Sequence, residues 1–265
     1  MKIDIVMKQL FKVIKGWKNS NDDIILDCYT YNSHAYNFAK INHGHHYIPE
    51  WWKSTPPIVE GKHPTIKNCP AFIEYYKEGI VIPMWCEVEV QINPKGKQLF
   101  TWKSSQRDFN ITEHRQDQFK GFAKEDGHNL KIISPWLIKC RENVNFTFTQ
   151  PIWSQRDTMF NFILTPGVLN FKYQMDCNLN YFFQQKDTQQ VINIKPLTPM
   201  VIMHPISERK VKLRHHLLTS KDREGFGNLH QGVDSLLLDR YPELISKKKK
   251  KLFEKIDKIE KGIYK

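Results

Sequence analysis

Val144-Asn145-Phe146-Thr147-Phe148-Thr149 alternates apolar and polar side chains along its whole length. A strand turns successive side chains to opposite faces, so Val144, Phe146 and Phe148 go to one side and Asn145, Thr147 and Thr149 to the other. The device recurs at Phe160, Phe162 and Leu164, and again at Leu179, Tyr181 and Phe183. Between and around them lie Ser134-Pro135-Trp136, Val191 to Ile194 and Pro199 to His204, short pieces rich in β-forming residues. Turn signals separate these pieces at Pro135, Pro151, Pro166-Gly167, Lys186-Asp187 and Pro196. Strands spaced roughly ten residues apart over Leu130 to Leu218 point to a multi-stranded antiparallel core. The expected fold is mainly β with peripheral helices: an antiparallel β-sandwich, or a jelly-roll or cupin-like barrel.

Upstream of that run, Ile24 to Tyr31 reads as a strand. Ile80, Ile82, Met84, Cys86, Val88, Val90 and Ile92 then hold a period of two. Asn93-Pro94-Lys95-Gly96 makes a turn, and Gln98 to Trp102 returns as the partner of a hairpin. Thr65 to Gly79 reads as a helix with Thr65 as its N-cap and Gly79 as its stop. Asn42 to Pro57 reads as a loop with at most one helical turn. Ser104 to Gly127 is polar and holds one strand around Phe109 to Thr112. Leu10, Val13, Ile14 and Trp17 suggest a short N-terminal amphipathic helix. β character ends after Leu218, and Leu252, Ile256 and Ile259 mark a terminal helix with lysines on its other face. Residues 1–218 are expected to form the β-rich core domain, and residues 219–265 a helical, lysine-rich extension.

A chain of 265 residues with 40% hydrophobic and 12% aromatic content can bury a core without disulfides or a structural metal. Its five cysteines are odd in number and widely spaced, with no Cys-x-x-Cys pair, so a disulfide framework and a zinc ribbon are both disfavoured. No signal peptide is evident, and no apolar run approaches the roughly eighteen residues of a membrane span. The expectation is a soluble protein of the host cytoplasm or virion with no membrane partner. The formal charge is +12, and half of it sits in Lys247 to Lys265, where nine lysines face three acidic residues. Lys247, Lys248, Lys249, Lys250 and Lys251 are therefore the candidate contacts to nucleic acid, set against a plain solvated helix face.

Several stretches resemble an uncharacterised family of proteins carried by tailed bacteriophages, marine ones especially. They are Ile48-Pro49-Glu50-Trp51-Trp52-Lys53, Thr65-Ile66-Lys67-Asn68-Cys69-Pro70, Gly79-Ile80-Val81-Ile82-Pro83-Met84-Trp85 and Ser134-Pro135-Trp136-Leu137-Ile138-Lys139, then Thr198-Pro199-Met200 through Pro205-Ile206-Ser207-Glu208-Arg209-Lys210. The likeness spans residues 48–216 in the family's order. It departs at Cys140-Arg141-Glu142-Asn143-Val144, where the family has a Thr-Pro-Pro-Gly-Tyr-Ser-like turn, and at Gly167-Val168-Leu169-Asn170-Phe171. The resemblance implies a phage setting and a β-rich fold, and it implies no particular activity.

Two constellations could carry chemistry. His43-x-His45-x4-Glu50 resembles the first metal motif of cupins, which binds a divalent metal. The second cupin motif has no counterpart, because Pro166-Gly167 lacks a following His. His114, with Gln118 four residues on, is the other candidate, read either as a further metal ligand or as a polar sheet edge. His204 sits in an apolar strand and reads as structural. Glu87 and Glu89 share a face that alternation places in solvent. Trp51, Trp52, Trp85, Trp102, Trp136 and Trp153 could stack on bases or sugars, or could pack the core. Nucleophile-elbow, P-loop and dinucleotide-binding motifs are absent from the sequence. The leading expectation is a non-enzymatic binding protein without a cofactor, its partner a virion or host protein. The alternatives are a cupin-like metalloenzyme using His43, His45, Glu50 and His114, and a nucleic-acid-associated protein.

Overall fold

The computed structural model describes residues 23–94, 99–114, 116–119, 121, 127–154 and 162–219. The N-terminal helix around Leu10 to Trp17, the turn at Lys95-Gly96, Phe160, the terminal helices and Lys247 to Lys251 lie outside the described residues.

The chain is mainly β, with antiparallel sheets, a few short helices and a sandwich-type arrangement. In chain order the strands are β1 (Ile24–Thr30), β2 (Asn42–His43), β3 (Ile58–Val59), β4 (His63–Pro64), β5 (Ile80–Pro83) and β6 (Val88–Ile92). Next come β7 (Phe100–Ser104), β8 (Ile111–His114), β9 (Gly127–Ile132), β10 (Trp136–Cys140), β11 (Phe146–Thr149) and β12 (Ile163–Leu164). The last are β13 (Gly167–Leu169), β14 (Leu179–Gln184), β15 (Gln190–Ile194), β16 (Pro199–Pro205) and β17 (Val211–Leu217). The helices are α1 (Ser33–Phe38), α2 (Glu50–Ser54) and α3 (Pro70–Glu78).

The sheets run β10-β1-β17, β13-β11-β16-β5-β2, β12-β14-β9-β8 and β15-β6-β7, with β3-β4 as a small ribbon. Each order is open-ended among the described residues, as in a sandwich. The four larger sheets share one hydrophobic core. Leu26 and Ile138, Ile82 and Met203, Leu130 and Tyr181, and Val90 and Ile192 reach it from the four in turn.

Alternation sets most of these faces. In β11, Phe146 and Phe148 are buried while Thr147 and Thr149 are partly exposed. In β14, Leu179, Tyr181 and Phe183 point inward, leaving Asn180 and Phe182 for the outer face. The continuous run read over Ile80 to Ile92 is two strands in two sheets. Pro83 has no N–H to continue the ladder. The Met84 N–H instead donates to the Thr198 carbonyl at 2.8 Å, and the chain crosses to pair β6 with β7 and β15.

Thr65 caps not the main helix but a 3-10 turn at Ile66–Asn68, and α3 begins two residues later at Pro70. Gly79 ends α3 with a negative φ, so close packing explains the glycine. An added Cβ there would lie 2.5 Å from Ile202 Cδ1 and 2.6 Å from the Tyr75 carbonyl oxygen. The segment Asn42 to Pro57 is more ordered than a loop, with β2, a 3-10 turn at Gly44–Tyr47 and α2. β1 and β17 pair in parallel, from Ile24 opposite Val211 to Thr30 opposite Leu217. No helix among the described residues is long and apolar enough to cross a membrane.

Candidate functional site: a polar groove on the four-stranded sheet

One face of the β12-β14-β9-β8 sheet is core: Leu130, Tyr181 and Leu164 on it are at most 2% exposed. The opposite face follows from the register. Asn129 stands opposite His114 on one side and Phe182 on the other, and Phe182 stands opposite Ile163. The next row places Asn180 opposite Lys131, which faces Thr112. A 3-10 turn at Gln116–Phe119 brings a lid residue onto this face. Phe119 meets Phe182 edge to face at 5.2 Å and 76°, and meets His114 at 6.3 Å and 79°. The result is a 630 Å³ groove lined by His114, Gln118, Phe119, Asn129, Thr165, Asn180 and Phe182. That volume is within the roughly 300–1,000 Å³ of small-molecule sites.

Backbone contacts hold the lining in place. The Gln150 side-chain amide donates to the Phe162 carbonyl at 2.8 Å and accepts from the Leu164 N–H at 2.9 Å, anchoring β12. The Thr165 N–H donates to the Asn180 carbonyl at 2.8 Å, fixing Thr165 beside β14. His114 Nδ1 lies 2.8 Å from Gln118 Oε1. With that oxygen accepting, Nδ1–H is the donor and the neutral ring keeps Nε2 as an acceptor.

The electrostatics of the groove are unusual for a sheet face. Among the described residues, four buried side-chain polar atoms have no hydrogen-bond partner: Asn129 Oδ1, Thr165 Oγ1, Asn180 Oδ1 and Trp136 Nε1. Three of the four belong to groove-lining residues. Asn129 is the most deeply placed, at 2% exposure. An unpaired buried amide costs about 1–3 kcal/mol, so a cluster of them needs a reason. Among the described lining residues no side chain is a carboxylate, a lysine or an arginine, and Lys131 stands opposite Asn180 on the same face. The described lining therefore offers amides, a hydroxyl and an imidazole around two aromatic rings.

The sequence matches no protein-family model and no curated protein.

The histidine cluster sits elsewhere. His43 ends β2 and His45 lies in the following 3-10 turn, their rings stacked at 5.8 Å and 10°. His45 and His46 rings are 4.2 Å apart. Burial, then the neighbouring His45 and His46, push the His43 pKa below its ordinary value. Burial and His46 do the same to His45. Glu50 opens α2 and pairs with Lys53 at 2.5 Å, in solvent. Among the described residues no group of three or more His, Cys, Asp or Glu side chains is placed to hold a metal ion. The Nε2–H of His204 donates to the Tyr75 carbonyl at 2.8 Å, a structural role. Of the histidine candidates, His114 alone is joined to its expected neighbour, Gln118.

The other reactive groups are occupied or inert. The five cysteines are unpaired, and burial pushes the Cys140 and Cys177 thiols up to about 12. Trp85 and Trp136 are core, whereas Trp51 and Trp153 are surface residues that touch each other. Asp27 is buried between Lys139 and Arg214 in register, accepting from Arg214 at 2.7 Å and His216 at 2.8 Å.

Sequence reasoning found His114 and Gln118 but missed Asn129, Thr165 and Asn180. Alternation already put Asn180 on the face opposite Tyr181. The depth of Asn129 had no local signal, since the turn at Gln116–Phe119 creates it.

Proposed function

We propose that this chain is a non-enzymatic binding protein that holds a neutral, hydrogen-bond-donating ligand in the groove beside His114. The observation that carries this reading is the gathering of unpaired buried polar groups on Asn129, Thr165 and Asn180. Stability alone would favour apolar side chains at such positions. A ligand that donates to them removes the cost. The Asn χ2 torsion is broad, so each amide can turn its oxygen toward an incoming donor. The Thr hydroxyl rotates freely. The resemblance to tailed-phage proteins supports a partner on the virion or on a host component.

The test is a stability measurement on Asn129→Leu, a change that replaces the amide by an apolar group of similar size. Urea unfolding is expected to show a gain of about 1–2 kcal/mol in the ligand-free protein. A loss of that size would make Asn129 a structural group and end the reading.

A further inference from the structure

We infer that the ligand class is a saccharide, a conclusion that rests on the binding reading above. Three observations narrow the class. First, Phe119 and Phe182 meet at 76°, so floor and wall form an aromatic corner rather than a flat platform. A sugar ring has a stiff C–H face that packs on an aromatic ring, and a rim of hydroxyls at right angles to it. An open-chain polyol has the hydroxyls without the stiff face.

Second, the unpaired atoms are oxygens: Asn129 Oδ1, Asn180 Oδ1 and Thr165 Oγ1. Several adjacent hydroxyls can donate to all three at once. Third, the described lining residues carry no carboxylate, so an ammonium finds no counter-ion among them.

The experiment is a titration of the ¹⁵N-labelled full chain, followed by amide shifts. The probes are the methyl glycosides of glucose, galactose, mannose and N-acetylglucosamine, with N-acetylglycinamide and inorganic phosphate as controls. At least one glycoside is expected to shift the amides of Asn129, Asn180 and Phe119 saturably. Thr165→Val and Phe119→Ala, neither of them in the core, are each expected to weaken that glycoside about 2- to 10-fold. Shifts in the groove from N-acetylglycinamide or phosphate alone would overturn the saccharide class and leave the binding reading standing. A glycoside response mapping to Trp51 and Trp153 instead would also overturn it. Silence of the groove toward every probe would remove both the saccharide and the binding reading.

Discussion

Asn129 shows how one side chain can carry information that stability would discard. It occupies the middle of a sheet, is 2% exposed, and leaves its oxygen unpaired. Gly44 is the opposite case, a residue chosen by packing alone. A Cβ there would stand 2.6 Å from the Tyr76 carbonyl oxygen, and its N–H already donates to the Gly79 carbonyl at 2.7 Å. Backbone cannot move aside as a flexible side chain can, so Gly44→Ala should cost about 1–3 kcal/mol in urea unfolding. Asp27 illustrates coupling to pH. Burial works to raise its pKa, but the hydrogen bonds from His216 and Arg214 outweigh it and hold the carboxyl below its ordinary 3.8. Above pH 3.8 the ionised group contributes its full stabilisation. As pH falls below that value the unfolded chain protonates first, and the contribution is lost on approach to the folded pKa. Asp27→Asn should flatten this acid limb in pH-dependent thermal melts. It should also destabilise the protein at neutral pH by about 1–3 kcal/mol, since it weakens the charge-assisted hydrogen bonds from the half-exposed Arg214 and from His216.

At the scale of elements, the segment from β2 to α2 departs most from its sequence reading. Gly and Pro mark it as loop, yet it folds because α3 gives it a surface to dock on through Gly44. Docking also crowds His43 and His45, and their lowered pKa values follow from burial first and neighbouring imidazoles second. The unfolded chain takes up protons near 6.5 while the folded segment resists. Stability should therefore be full above pH 6.5 and decline as pH falls below it. Replacing both His43 and His45 by Gln should remove that part of the decline, measured by thermal melts from pH 7 downward. β6 and β7 pair as the alternation predicts, from Val88 opposite Ser104 to Ile92 opposite Phe100, but the return strand runs Phe100–Ser104 rather than Gln98 to Trp102. β13 forms at Gly167–Leu169 by pairing with β11.

For the whole molecule, the single core matters most. Because side chains from all four larger sheets meet in it, no sheet can come away without exposing the others. Unfolding of the described region should be one cooperative step, with tryptophan fluorescence and far-UV circular dichroism changing together. Two separate transitions would mean the sheets are independent units.

The sequence by itself determined the strands β11, β14, β15 and β16 and which of their side chains share a face, because side-chain alternation is a local property with a period of two, whereas β13 and β17 carry no such signal. It thereby put Asn180 and Phe182 opposite Tyr181, and put His114 within reach of Gln118. Only the tertiary structure decided which strands are neighbours. The parallel pairing of β1 with β17, which buries Asp27 against Arg214, joins residues far apart in the chain. The groove has the same origin. His114, Asn129, Thr165 and Asn180 come from four strands or strand ends, and cross-strand register together with one folded-back turn brings them to one place.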